Sequence, residues 1–410
     1  MRNHSQSWYF QDETDHVTMG WMMHRFDKVL YQDLSTNHQP LPVLVGNVLT
    51  QFIPYNTLYI LIERLRLVMF GVTALTSILL TLRFGLKGAV AAVATFSVSY
   101  WYFGWHILQE TLAIPALLFI FMLLIEYCFF RTNAKKEVTK IQYWDSFLFG
   151  LSLFWLTFTL LPLAPFVIGS IVLFLLCATK KESLIAFISG LAPTLILFSF
   201  IPLNLWFEET ILNNVRYLLP EISPLTVTQQ FQLIFYPFLS FLNPGDVVAR
   251  NFLFSTVLLI LSSIVLAVKM LQHIRDSKQT TSQFLSKNRF FIVKSAVLLA
   301  MFISLNTRVY ENPNAFFTGF HLYPYIAGFA VIVSYLIVNS FHHTTKVTQL
   351  AIVLLCVGWL ANNSFWMLEK KNKTNESYIQ YGTFDSVGRA IKIMKTENST
   401  VFSGPDGHGY

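Results

Sequence analysis

The sequence predicts an all-α polytopic membrane protein, with about ten transmembrane helices, outward-facing interfacial helices and the start of a small α/β extracytoplasmic tail domain. Three observations predict it. Hydrophobic residues are 54% of the chain and charged residues 12%, where a soluble domain carries about 25% charged residues. Apolar runs of about 16 to 22 residues recur, the length that crosses a hydrocarbon core of roughly 30 Å. Lys and Arg collect in alternate loops, as they do when successive loops lie on opposite sides of a membrane.

The same observations exclude several classes. In such a chain the net charge of +7 sets topology, so nucleic acid is not an expected partner. Cys128, Cys177 and Cys356 all lie in apolar runs, as small buried hydrophobes, with no disulfide framework or Cys-based metal motif. No Walker-type glycine loop, HExxH motif or internal repeat is present, and the opening residues lack the apolar core of a signal peptide.

Residues 1–56 read as an outward loop around one amphipathic helix. In "DETDHVTMGW", starting at residue 12, Asp12, Glu13 and Asp15 suit a helix cap and first turn, where the helix dipole favours anions. Met19, Met22, Met23, Phe26 and Leu30 then share one helical face. The following "LYQDLSTNHQPLP" is too polar for a core and too rich in proline for a helix, so it reads as an ordered loop. Two polar clusters thus bracket one helix ahead of the spans. That arrangement suits proton transfer or metal binding at a membrane surface.

Residues 57–366 form the helix bundle. The spans are expected at 57–82, 88–104, 111–130, 145–160, 163–178, 183–205, 252–270, 290–305, 321–340 and 348–366. The fourth and fifth are joined tightly by "LPLAP". Glu63, Arg64 and Arg66 sit in the opening turns of the first span and place those turns at the interface. The loops carrying Arg83 and Lys87, Arg131 to Lys140, Lys180 and Lys181, Lys269 to Arg289, and Lys346 face the cytoplasm. The opening segment, the 206–251 loop and the tail then face outward, in a multi-pass protein of the plasma membrane. The 206–251 loop breaks its apolar residues with polar ones at helical spacing, as short interfacial helices do. In the tail, 367–410, "DSVGRAIKIMKTEN" has a helical face of Val387, Ala390, Ile391 and Met394, and "STVFSG" reads as a strand.

The Asp12–Glu13 pair, "LYQD" and "NHQPLP", followed by many spans, resemble the first extracytoplasmic loop of the GT-C superfamily. These are polytopic glycosyltransferases that use lipid-phosphate-linked sugars; the protein mannosyltransferase and aminoarabinose transferase types are the nearest in pattern. The layout covers most of the chain, and the motifs fall within residues 12–42. The family carries one span before this loop and a larger soluble domain after the last span, so the sequence is expected to be a piece of a longer protein.

The resemblance implies an inverting transfer from a polyprenyl-phosphate sugar to a surface glycan, lipid or protein. Such a transfer needs a base for the acceptor hydroxyl and a group that stabilises the leaving phosphate. The resemblance makes Asp12 the base; the residues by themselves support a carboxylate without choosing among Asp12, Glu13 and Asp15. Glu13 would orient the site, while Asp33, His38 and Glu110 would assist the acceptor or a metal. Arg308 and His321 are the phosphate candidates. Each has a simpler role open to it: Glu110 as an acid in the first turn of a helix, Arg308 as a snorkelling anchor. No cofactor motif is present; a divalent metal ion held by Asp12 and Asp33 is the one cofactor the donor types allow. Two other functions share the lipid substrate. A flippase would place ionisable residues at mid-membrane, in repeated halves, and a polymerase or ligase would put its basic residues in the 206–251 loop.

Overall fold

The computed structural model describes residues 11–55, 58–97, 99, 104, 106–130, 143–218, 289–305, 321 and 323–341, with isolated positions at 228 and between 346 and 358. Its regular structure among these residues is helical, and the one β feature among them is an isolated bridge between Leu30 and Leu34. The expected span at 252–270, most of that at 348–366, most of the 206–251 loop and the whole 367–410 tail with its expected strand lie outside the described residues.

Two short helices come first, α1 (Gln11–Phe26) and α2 (Pro40–Phe52). The bundle follows: α3 (Leu58–Phe84), α4 (Leu86–Ser97), α5 (Gln109–Ile125), α6 (Tyr143–Thr159), α7 (Ala164–Cys177) and α8 (Lys180–Phe200). Then come α9 (Leu203–Phe207), which runs on into π-helical turns to Leu218, α10 (Arg289–Ser304) and α11 (Tyr323–Phe341). Among the described residues, three helical segments are long and apolar enough to cross a membrane: Ile60–Phe84, Gln109–Cys128 and Lys180–Phe200. Leu86–Ser97, Leu161–Cys177, Ile292–Ser304 and Tyr323–Asn339 are shorter apolar helices.

Burial separates these helices by place. The apolar window of α5 is 83% buried, against 28% for α3 and 17% for α8. So α5 is the axis, packed by α6 and α11, while α3 and α8 are peripheral. Leu75, Ile78, Leu79 and Leu82 on α3, and Leu184, Phe187, Ile188, Leu195 and Ile196 on α8, lie exposed. An apolar outer face of that extent is what a bilayer solvates and water does not.

One glycine permits a sharp turn and another a close helix crossing. Gly85 has φ +60°, which lets the chain reverse between α3 and α4. Gly20 sits where α1 crosses α2: a Cβ there would lie 2.3 Å from Asn47 N and 2.7 Å from Val43 O. That second helix was hidden from sequence by its prolines. Pro40 occupies the first position of α2, where a missing N–H costs nothing, and so begins a helix instead of prolonging a loop.

Because consecutive helices reverse direction, the bundle has two distinct ends. At one end Arg83 makes a two-point contact with Asp145, Nε–Oδ1 2.8 Å and Nη2–Oδ2 2.6 Å, and Glu126 lies 3.6 Å from Arg83 and 4.0 Å from Lys87. The other end gathers α1, the 27–39 loop, residues 106–110 and α9. The amphipathic face read from sequence is partly confirmed: Met19, Met22 and Met23 pack against Leu30, Tyr31 and Leu41, while Phe26 is exposed.

Candidate active site

The second end holds a connected polar network, and α1 supplies its centre. Glu13 and His16 are three residues apart, so they face the same way, and both meet the backbone of one residue, Ile107. Ile107 N donates to Glu13 Oε1 at 3.1 Å, and His16 Nδ1 lies 3.1 Å from Ile107 O. Both side chains are about 1% exposed.

Glu13 is closed on its other side by Arg66 of α3. Arg66 Nε donates to both carboxylate oxygens, at 3.1 and 3.0 Å, and Nη2 to Oε2 at 2.5 Å. His106 Nδ1 stands 2.9 Å from Glu13 Oε2 and 3.1 Å from Arg66 Nη2. Burial by itself would raise the Glu13 carboxyl; the Arg66 charge, then His106, overcome it and hold the group down to about 2. Burial, then the Arg66 charge, pushes His106 below its ordinary range. The pair is therefore an anion and a cation removed from water together. Arg66, read from sequence as a charge in the opening turns of the first span, is buried against Glu13.

His38 lies against His16, ring centroids 5.1 Å apart and edge to face. Gln109 Nε2 contacts its Nδ1. The next residue, Glu110, opens α5, is 4% exposed and accepts at Oε1 from His321 Nδ1 at 2.6 Å. The 27–39 loop is fixed over this end. Tyr31 OH donates to His38 O at 2.7 Å, Ser35 Oγ to Glu209 at 3.0 Å, Asn214 Nδ2 to Asn37 O at 3.1 Å, and Trp206 Nε1 to Gln39 Oε1 at 3.3 Å.

Four of the seven residues singled out from sequence thus gather at one end around residues 106–110: Glu13 and His38 through Ile107 and Gln109, and Glu110 paired with His321. Asp33 does not join them. It is exposed, and its Oδ2 accepts from Val29 N at 2.9 Å, so it closes its own turn. The backbone of Asp12 lies in the first turn of α1; its side chain, and Arg308 entirely, fall outside the described residues. Among the described residues, no group of three or more His, Cys, Asp or Glu side chains is arranged to hold a metal ion. His106, Gln109 and the backbone of Ile107 carry much of the network without a sequence motif to mark them.

No known protein family, curated protein or solved structure matches the chain.

Proposed function

We propose that the chain is a membrane glycosyltransferase of the GT-C type. It moves a sugar, with inversion, from a polyprenyl-phosphate donor to a surface glycan, lipid or protein. The proposal includes about ten spans in the complete bundle, the network end facing outward from the plasma membrane, and an extracytoplasmic α/β tail. It rests on the resemblance of residues 12–42 and on one structural observation. The residues that the resemblance marks in the first loop, Glu13 and His38, meet Ile107 and Gln109 of the same short segment whose Glu110 pairs with His321 from far along the chain.

The chemistry asks for a base on the early turns of α1, which the resemblance gives to Asp12, and for groups that hold the departing phosphate. Glu110 fixes the ring of His321, and Arg308 joins it in that role by the resemblance. Glu13 is a positioning residue: a carboxylate held near 2 by an arginine makes a weaker base than an ordinary aspartate near 3.9. The test is transfer in membranes containing the full-length protein, with undecaprenyl phosphate carrying radiolabelled hexose or pentose. Label passing to a product independent of the lipid supports the reading. No transfer from any of these donors refutes it.

A further inference from the structure

Two buried side-chain nitrogens at the network end meet no hydrogen-bond partner among the described residues, Gln39 Nε2 and His16 Nε2, and only the second is an atom that can take a proton. His16 is about 1% exposed, and its Nε2 meets no hydrogen-bond partner among the described residues. The other ring nitrogen decides what kind of atom this is. The Ile107 carbonyl can only accept, so Nδ1 carries the proton and donates to it at 3.1 Å. The ring is neutral, since burial and then His38 hold the imidazole down to about 4. Nε2 is therefore a bare lone pair, oriented by a main-chain carbonyl as bases and metal-binding histidines commonly are.

A lone pair of this kind selects its ligand. It accepts from an O–H or N–H and repels the oxygens of an ionised phosphate. We propose that His16 Nε2 binds the acceptor's alcohol hydroxyl and removes its proton during glycosyl transfer. This assignment rests on the glycosyltransferase reading above and departs from the aspartate base that the resemblance implies. Nε2 takes the hydroxyl proton as the hydroxyl oxygen bonds to the anomeric carbon. The bond from that carbon to the phosphate oxygen breaks, and its electron pair leaves on the phosphate. Asp12 stands one helical turn before His16, and a base of pKa about 4 matches an ordinary aspartate near 3.9 in strength. His38, half-buried beside the ring, is the neighbour of His16 that lies nearest the surface. The charged or titratable groups around His16 are Glu13 on its own helix, His38 on the loop and Glu110 on α5.

His16→Asn tests this. Asparagine places an amide nitrogen near the Nδ1 position, so the bond to Ile107 O is kept while the Nε2 lone pair is lost. The expected result is a fall in kcat of about 10²- to 10⁴-fold, with donor KM and melting temperature unchanged. If wild type transfers sugar and His16→Asn keeps its kcat, the assignment is overturned and the glycosyltransferase reading stands. If wild type transfers from no donor, that reading falls and the assignment with it. A second measurement covers a variant that fails to fold: ¹⁵N NMR of the histidine-labelled wild type at neutral pH. A bare Nε2 at His16 supports the proposal, and a protonated Nε2 overturns it.

Discussion

Replacing Glu13 with glutamine should leave Arg66 as a buried cation without its anion. Arg66 is 1% exposed and directs three donor contacts at the Glu13 carboxylate. Removing one partner of such a pair costs about 3–5 kcal/mol, because the remaining charge is left unpaired away from water. The pH dependence gives a separate measure of the same pair. The Glu13 carboxyl falls from 4.5 to about 2 on folding, and at about 1.36 kcal/mol per pH unit that is worth about 3 kcal/mol. The folded group is the stronger acid, so this stability is complete above about pH 4.5 and is lost as pH falls toward 2. The assay is a double-mutant cycle in detergent: Glu13→Gln, Arg66→Met and the pair, followed by tryptophan fluorescence on heating. The double variant should recover much of what either single change loses, with a coupling of about 2–3 kcal/mol. Single costs that simply add, or a Glu13→Gln loss under about 1 kcal/mol, would refute the picture of a closed ion pair.

Three further outcomes follow from the geometry. Stability should also drop as pH falls from 6.5 through 4, because His16 is held below its unfolded value and must take up a proton to unfold; melting curves of His16→Asn should lack that step. Gly20→Val should force α1 and α2 apart, since even a Cβ would lie 2.3 Å from Asn47 N; overpacking of this kind costs about 1–3 kcal/mol, read as a lower melting temperature. Oxidation with copper phenanthroline should join Cys128 to Cys177, whose Sγ atoms lie 3.5 Å apart; the mobility shift should vanish in Cys128→Ser and in Cys177→Ser, and a wild type that gives no shift would show that the two thiols do not meet.

The helices were legible wherever apolar runs were long. The expected 57–82 is α3 at Leu58–Phe84, and the expected 183–205 is α8 at Lys180–Phe200. Periodicity and length carry such segments because lipid and core both demand apolar side chains. The site was legible only in part, and the reason is chain separation. Nothing local to Arg66 says that it meets a residue 53 positions earlier. Ile107 contributes only backbone groups, which have no signature in sequence. Asp33 misled in the opposite direction: a carboxylate four residues from Val29 N is a local turn, and its acidity made it look like a ligand.

The network also separates two roles that adjacent acids make hard to tell apart. A group that is to take a proton needs a lone pair that the protein leaves open. A group that is to hold a site needs every lone pair engaged. Glu13 meets the second condition, with Arg66, His106 and Ile107 N around its two oxygens. His16 meets the first, with one nitrogen anchored and the other buried but unpartnered among the described residues. Both are oriented by the same residue, so movement of Ile107 disturbs them together. The ion pair ties α1 to α3 and to the turn ahead of α5, which keeps Ile107 in place. The stability held in Glu13 is thus what keeps the lone pair of His16 in a fixed direction.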